Sequence, residues 1–134
     1  MTTRDLTRRT PRQLLWLSVR HRDPGVLVVA VSGDLDMLTA PLLDECLREQ
    51  LSGAVPHLVV DLEGVKFLGA CGLRCLLQAR ELAETTGVVL HLAGLVNRAA
   101  ERPLAVCSLL PLFRCYPTLA HVPPLDRARA ETTW

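Results

Sequence analysis

Residues 61–87 read DLEGVKFLGACGLRCLLQARELAETTG, and this stretch decides the fold. An apolar strand ends in it, a turn crosses it at Gly69, Ala70, Cys71 and Gly72, and an amphipathic helix leaves it. Leu73, Leu76, Leu77, Leu82 and Ala83 supply one side of that helix, while Arg74, Gln78, Glu81 and Thr85 form a polar edge. The pattern predicts a helix starting near Cys71 or Gly72 and ending before Gly87, a suitable C-cap. A strand that runs into a helix in this way presents its turn at a helix N-terminus, where small α/β domains place their chemistry.

Working upstream, residues 57–62 (HLVVDL) form a nearly continuous apolar strand of the kind covered on both faces, as a central parallel strand would be. Before it, residues 40–51 read as a helix with Leu42, Leu43, Cys46, Leu47 and Leu51 on one side, Pro41 in the first turn and Thr39 as the expected N-cap. Asp44 and Arg48 are spaced for an exposed i,i+4 pair. Residues 33–41 (GDLDMLTAP) are expected to be a polar connection. Residues 15–21 alternate with period two, residues 26–32 (VLVVAVS) are more fully apolar, and Asp23, Pro24 and Gly25 between them predict a hairpin.

Downstream, residues 88–92 (VVLHL) give a further strand, and residues 95–110 a third helical stretch interrupted by Pro103. Proline there removes one hydrogen bond and crowds the carbonyl of Ala99, so the helix either kinks or restarts at that point. A short last strand within 112–116 and a helical fragment within 118–122 complete the pattern. The order β, β, α, β, α, β, α predicts a single α/β domain with a mixed four- to five-stranded sheet and helices packed mainly on one face. The expected divisions are a flexible basic arm at 1–13, the domain at 14–122 and a flexible tail at 123–134.

Composition narrows the function classes. With 134 residues and 49% hydrophobic residues the chain suits one domain with a single core, and no apolar run reaches the ~18 residues a membrane span needs. A formal charge of +1 gives no global case for nucleic-acid binding, although the first 22 residues hold six arginines against Asp5. No secretory signal is visible, so the expected location is the cytoplasm. The five cysteines are odd in number, mostly within apolar patterns and without a CxxC pair, as reduced core thiols would be.

Three separated motifs, SGDLDMLTAP at 32–41, HLVVDLEGVKFLGACGLRCLL at 57–77 and LLPLFRCYPTLA at 109–120, resemble the STAS domains of bacterial anti-sigma factor antagonists. The resemblance covers about residues 14–122. It implies a binding switch rather than an enzyme: such proteins bind an anti-sigma factor, often itself a serine kinase of the histidine-kinase-like ATPase type, and so release a sigma factor for transcription. Phosphorylation of a serine at the start of the second helix turns binding off. The family typically reads Asp-Ser-Ser/Thr-Gly there.

Matched onto this chain, the aspartate position is Gly69, the acceptor Ala70, the next residue Cys71 and the last glycine Gly72; only that glycine survives. Alanine has no oxygen to accept a phosphoryl group, so the usual switch is expected to be absent. In a phosphorylatable relative, about −1.5 to −2 charge would enter the interface at a helix N-terminus. The loss also leaves Gly69 and Ala70 as mediocre and poor caps, with a fraying cost of ~1 kcal/mol. The resemblance implies a docking surface at 33–39 and 69–74, with Asp34, Asp36, Thr39, Gly69, Ala70, Cys71 and Arg74 facing the partner. Two readings follow: an antagonist fixed in its binding form, or a STAS interaction module that serves as scaffold in another sensory complex.

Other constellations carry less. Cys71 and Cys75 share a helix face, and a thiol at a helix N-terminus is a candidate redox sensor, but no Cys-His-Asn set accompanies it. His21, His57, His91 and His121 are scattered, and no metal site is expected. GACG lacks both the lysine of a P-loop and dinucleotide-binding spacing, so no cofactor is expected. Asp34, Asp36, Asp61 and Glu63 define no reaction, and Asp34 and Asp36 are read as loop-fixing as well as partner-facing.

Overall fold

The computed structural model describes residues 8–9, 15–53 and 55–125. Among these residues six strands form one sheet in chain order: β1 (Arg8–Arg9), β2 (Leu15–Asp23), β3 (Val26–Leu35), β4 (His57–Leu68), β5 (Val89–Ala93) and β6 (Arg114–Cys115). The β1, β2 and β3 neighbours pair antiparallel, whereas β3, β4, β5 and β6 run parallel. Parallel neighbours need crossovers. These are α1 (Ala40–Leu51), α2 (Ala70–Thr86) and α3 (Arg98–Val106).

All three helices bury their apolar residues on one face of the sheet. Leu43, Leu47 and Leu51 of α1, Leu76, Ala79 and Ala83 of α2, and Ala100 and Leu104 of α3 share a core with Leu17, Val29, Leu58, Val60, Leu62 and Leu92 of the strands. The mixed sheet with one-sided helices is thus the expected architecture, and the two dipeptide strands extend it at either edge. The opposite face carries a smaller cluster of Val26, Val28, Val59 and Ala93, closed by Val122 from the C-terminal segment.

Several element boundaries differ from the expectation. The strand expected at 57–62 continues to Leu68, and the one expected at 26–32 continues to Leu35. Two register shifts explain why the pattern conceals this. Between Asp61 and Gly64, and again between Val65 and Phe67, β4 spends one more residue than β3 does opposite, so buried positions at Leu62, Val65 and Leu68 recur every third residue. The "polar connection" at 33–35 is therefore strand, and Gly33 accommodates it at φ 105°.

Helix α3 runs through Pro103 rather than restarting there. Asn97 starts it by accepting from Ala99 N–H at 3.1 Å, while its side-chain amide donates to the carbonyls of Leu62, Glu63 and Val65. The last strand shrinks to β6, and residues 119–121 form one 3-10 turn. Within the expected arm, Arg8–Arg9 form β1, opposite Leu17 and Trp16. The remainder of that arm and the end of the expected tail, residues 126–134, lie outside the described residues.

Candidate functional site

Because β3 and β4 are parallel neighbours, the loops that follow them emerge side by side at one end of the sheet. A hydrogen bond from Gly69 N–H to the Leu35 carbonyl, 2.9 Å, ties the two together. The first loop is organised by its own polar side chains. One Asp36 carboxylate oxygen accepts the N–H groups of Leu38 and Thr39, each at 3.0 Å. The Thr39 hydroxyl accepts from Asp36 N–H at 3.0 Å and donates to the Asp34 carbonyl at 2.6 Å.

This arrangement corrects two expectations about Thr39. It makes no side-chain cap to α1, because its oxygen is turned back to the loop. Nor is it partner-facing, since it is fully buried. Asp36 is loop-fixing as expected. Asp34 and Asp36 are both half-buried, and Asp34 lies opposite Phe67 in the parallel ladder. The expected Asp44–Arg48 pair is present at 2.9 Å.

The second loop is a single residue. Gly69 has extended backbone (φ −93°, ψ −175°), and α2 begins at once with Ala70, without a side-chain cap. Its carbonyl accepts the Leu73 N–H at 3.0 Å, closing the first helical turn. Ala70 is exposed, Cys71 half-buried and Arg74 exposed. Gly72 is buried for a packing reason: a Cβ there would come within 2.6 Å of Leu68 Cδ1 and 3.0 Å of Leu35 Cβ. A side chain at that position would have to displace Leu68 and Leu35 at the two strand ends.

Three residues that the sequence did not single out complete this surface. Met37 is 74% exposed, Leu38 65% and Phe67 53%. With Asp36 and Thr39 holding the loop, Met37 and Leu38 have no inward direction left. Phe67 borders Gly69, where an added Cβ would lie 2.9 Å from its ring. Adjacent Met37 and Leu38 in a connection rich in polar and turn residues were the available signal. Beside them, between the starts of α1 and α2, lies an open groove of about 290 Å³ lined by Met37, Pro41, Asp44, Cys71, Arg74 and Gln78.

Cys75 also borders the groove, but burial, more than the nearby Asp44 carboxylate, pushes that thiol up to about 12, so it stays protonated. Among the described residues no three His, Cys, Asp or Glu side chains converge into a metal-binding group. None of the helices described is long and apolar enough to cross a membrane.

Comparison with known proteins agrees with this fold. The family model described as STAS domain matches residues 19–122. The anti-sigma-F factor antagonist RsfB of Mycobacterium tuberculosis is 33% identical over 96 residues, covering 71% of this chain and 76% of that protein. A crystal structure of an anti-sigma factor antagonist from Mycobacterium paratuberculosis superposes with TM-score 0.69 at 37% identity, covering 84% of this chain and 93% of that one. At fold level only, the antagonist SpoIIAA of Bacillus in its unphosphorylated form gives TM-score 0.61 at 16% identity, over 74% of this chain and 86% of the other.

Proposed function

The chain belongs to the STAS domain family, and we propose that it is an anti-sigma factor antagonist whose binding surface cannot be switched off by serine phosphorylation. It binds an anti-sigma factor and thereby regulates sigma-factor-dependent transcription in the cytoplasm. It acts by binding, not by catalysis. The docking surface is built from the paired loops: Asp34 and Asp36 at its polar rim, Met37, Leu38 and Phe67 as apolar anchors, and Gly69, Ala70, Cys71 and Arg74 along the start of α2.

The observation that carries this reading is the combination of an exposed, neutral Ala70 with three exposed apolar side chains beside it. Apolar anchors ringed by polar groups are what a protein partner buries, and a few such side chains usually dominate affinity. A phosphoryl group at position 70 would set two negative charges beside them; alanine makes that impossible. The partner is an anti-sigma factor, of the serine-kinase type in the reading that gives Ala70 its meaning.

Calorimetry of the full chain against anti-sigma factors from the same genome is the direct test. Binding to one of them, unchanged after incubation of the protein with kinase and ATP, is the expected result. Failure to bind any would leave the scaffold reading. The paired substitution Gly69→Asp with Ala70→Ser supplies the hydroxyl, and mass spectrometry should then find one added phosphate and weakened binding. Phosphate near residue 70 in the unaltered chain would show that the motif has been matched in the wrong register.

A further inference from the structure

The groove between the starts of α1 and α2 adjoins the surface proposed above for the anti-sigma factor, and it carries a charge that the fold does not use. Arg74 stands one helical turn beyond Ala70, at the i,i+4 spacing that puts two side chains on one face of α2, and Gln78 follows by the same step. Met37, Arg74 and Gln78 are exposed, and all three line the groove of about 290 Å³ together with Pro41 and Asp44. A partner that covers Met37 and Ala70 therefore covers Arg74 as well.

No group of the fold neutralises that guanidinium. Among the described residues Arg74 has neither an ion pair nor a side-chain hydrogen bond. Asp36 is occupied by the N–H groups of Leu38 and Thr39, and Asp44 by Arg48 at 2.9 Å. Asp34 lies on the ladder opposite Phe67, outside the groove. In the free protein water solvates the unpaired charge. Under a docked partner that water is lost, and the bare guanidinium opposes binding unless an anion meets it.

The groove suits one kind of anion. The planar fork of an arginine matches a carboxylate through two parallel N–H···O bonds. The Gln78 side-chain amide can donate a further hydrogen bond to the same group. Met37 and Pro41 give apolar walls for the methylene stem that carries it. Asp44 lines the same groove, where its pair with Arg48 offsets its repulsion of an incoming acid.

We infer that Arg74 and Gln78 form the receptor for a carboxylate side chain of the protein partner, which enters the groove beside Met37 and Pro41; the identity of that partner as an anti-sigma factor rests on the function proposed above. The surface then selects its partner in two ways. Met37, Leu38 and Phe67 take apolar side chains, and Arg74 requires an acidic one next to them. A neutral residue at that point leaves a buried charge unpaired, and a basic one meets a like charge, so both are rejected.

Calorimetry of the full chain with the anti-sigma factor that binds the wild type tests this. Arg74→Met keeps the stem and removes the charge, and should weaken binding about tenfold or more. Arg74→Glu should weaken it about a hundredfold or more, because two acids then face each other. Arg74→Lys, a point charge without the fork, should fall between wild type and Arg74→Met. Urea unfolding of the three variants should match wild type, since Arg74 is exposed. Wild-type affinity in Arg74→Met, or tighter binding in Arg74→Glu, would overturn the inference. Absence of any binding anti-sigma factor would instead sink the function proposed above, and the groove is then read directly by NMR. Wild-type protein is titrated at millimolar concentration with the methylamide of N-acetylglutamate, and in parallel with its neutral glutamine counterpart. The Arg74 Nε–H and Gln78 side-chain amide signals should move with the first probe alone; an equal response to both, or none, would overturn the receptor.

Discussion

The two loops that leave β3 and β4 are neighbours with opposite construction. The first is knotted by Asp36 and Thr39, whose side chains take up or supply hydrogen bonds at Asp34, Leu38 and their own backbones. The second is reduced to Gly69, with no side chain to cap α2 and only the Leu35 carbonyl to fix it from outside. Rigidity in one loop holds Met37 and Leu38 outward; the bare second loop leaves Ala70 accessible beside them. In the function proposed above, this difference lets one surface keep its shape without an acceptor oxygen at its second loop. Shape resides in Asp36, Thr39 and Gly72, and the missing oxygen would have resided only at 70.

The largest effect should come from the exposed side chains. Leu38→Asp or Phe67→Asp is expected to weaken binding of the anti-sigma factor by tenfold or more, because a charge would then be buried against an apolar partner surface. Urea unfolding should be nearly unchanged for Leu38→Asp, which replaces an exposed side chain, and should fall modestly for Phe67→Asp, whose carboxylate would stand opposite Asp34 in the ladder. If instead stability falls and affinity does not, these residues support the fold and the docking surface lies elsewhere.

Next in size are substitutions that deform the support. Gly72→Ala forces a methyl against Leu68 and Leu35 and should cost ~1–3 kcal/mol, read by chemical denaturation. Asp36→Ala removes the acceptor for two N–H groups and should cost ~1–2 kcal/mol. Equal tolerance at both positions would mean that the first loop is no more constrained than the second, and the contrast between them would fail.

Much of this was legible in the residues, and the exceptions have identifiable physical causes. The helices α1 and α2 announce themselves through amphipathic spacing, and Gly87 ends α2 in the left-handed conformation, φ 76°, that glycine tolerates. The late halves of β3 and β4 did not announce themselves, because two bulges convert a period of two into a period of three. Thr39 was misread because a threonine before a helix usually caps it; here the buried hydroxyl satisfies the preceding loop instead. The turn into α2 at Gly69 and Ala70 was legible in its motif, but the exposure of Phe67 was hidden by the same bulges. The contacts of His57 with His91 and of His91 with Tyr116 join residues 34 and 25 positions apart, and only the parallel register of β4, β5 and β6 brings them together.

The smallest expected effect tests the contrast most directly, because it gives the second loop what the first already has. Gly69→Asp places a carboxylate at the N-cap of α2, where the backbone is extended at φ −93° and imposes no left-handed strain. The new side chain can accept an N–H from the first turn and faces the positive end of the helix, together worth ~0.5–1 kcal/mol. Against this, its Cβ would sit 2.9 Å from the Phe67 ring, so that exposed ring must swing aside. The net gain in wild type should be a few tenths of a kcal/mol near neutral pH, rising toward ~1 kcal/mol when Phe67→Ala has removed the obstacle. As an aspartate stabilised in the folded state, the cap contributes above its ordinary value near ~4 and is lost as the pH falls below it. No gain in either background would mean that the hydrogen bond from Gly69 to Leu35 already fixes the start of α2, and that the second loop is not under-constrained despite its missing side chains.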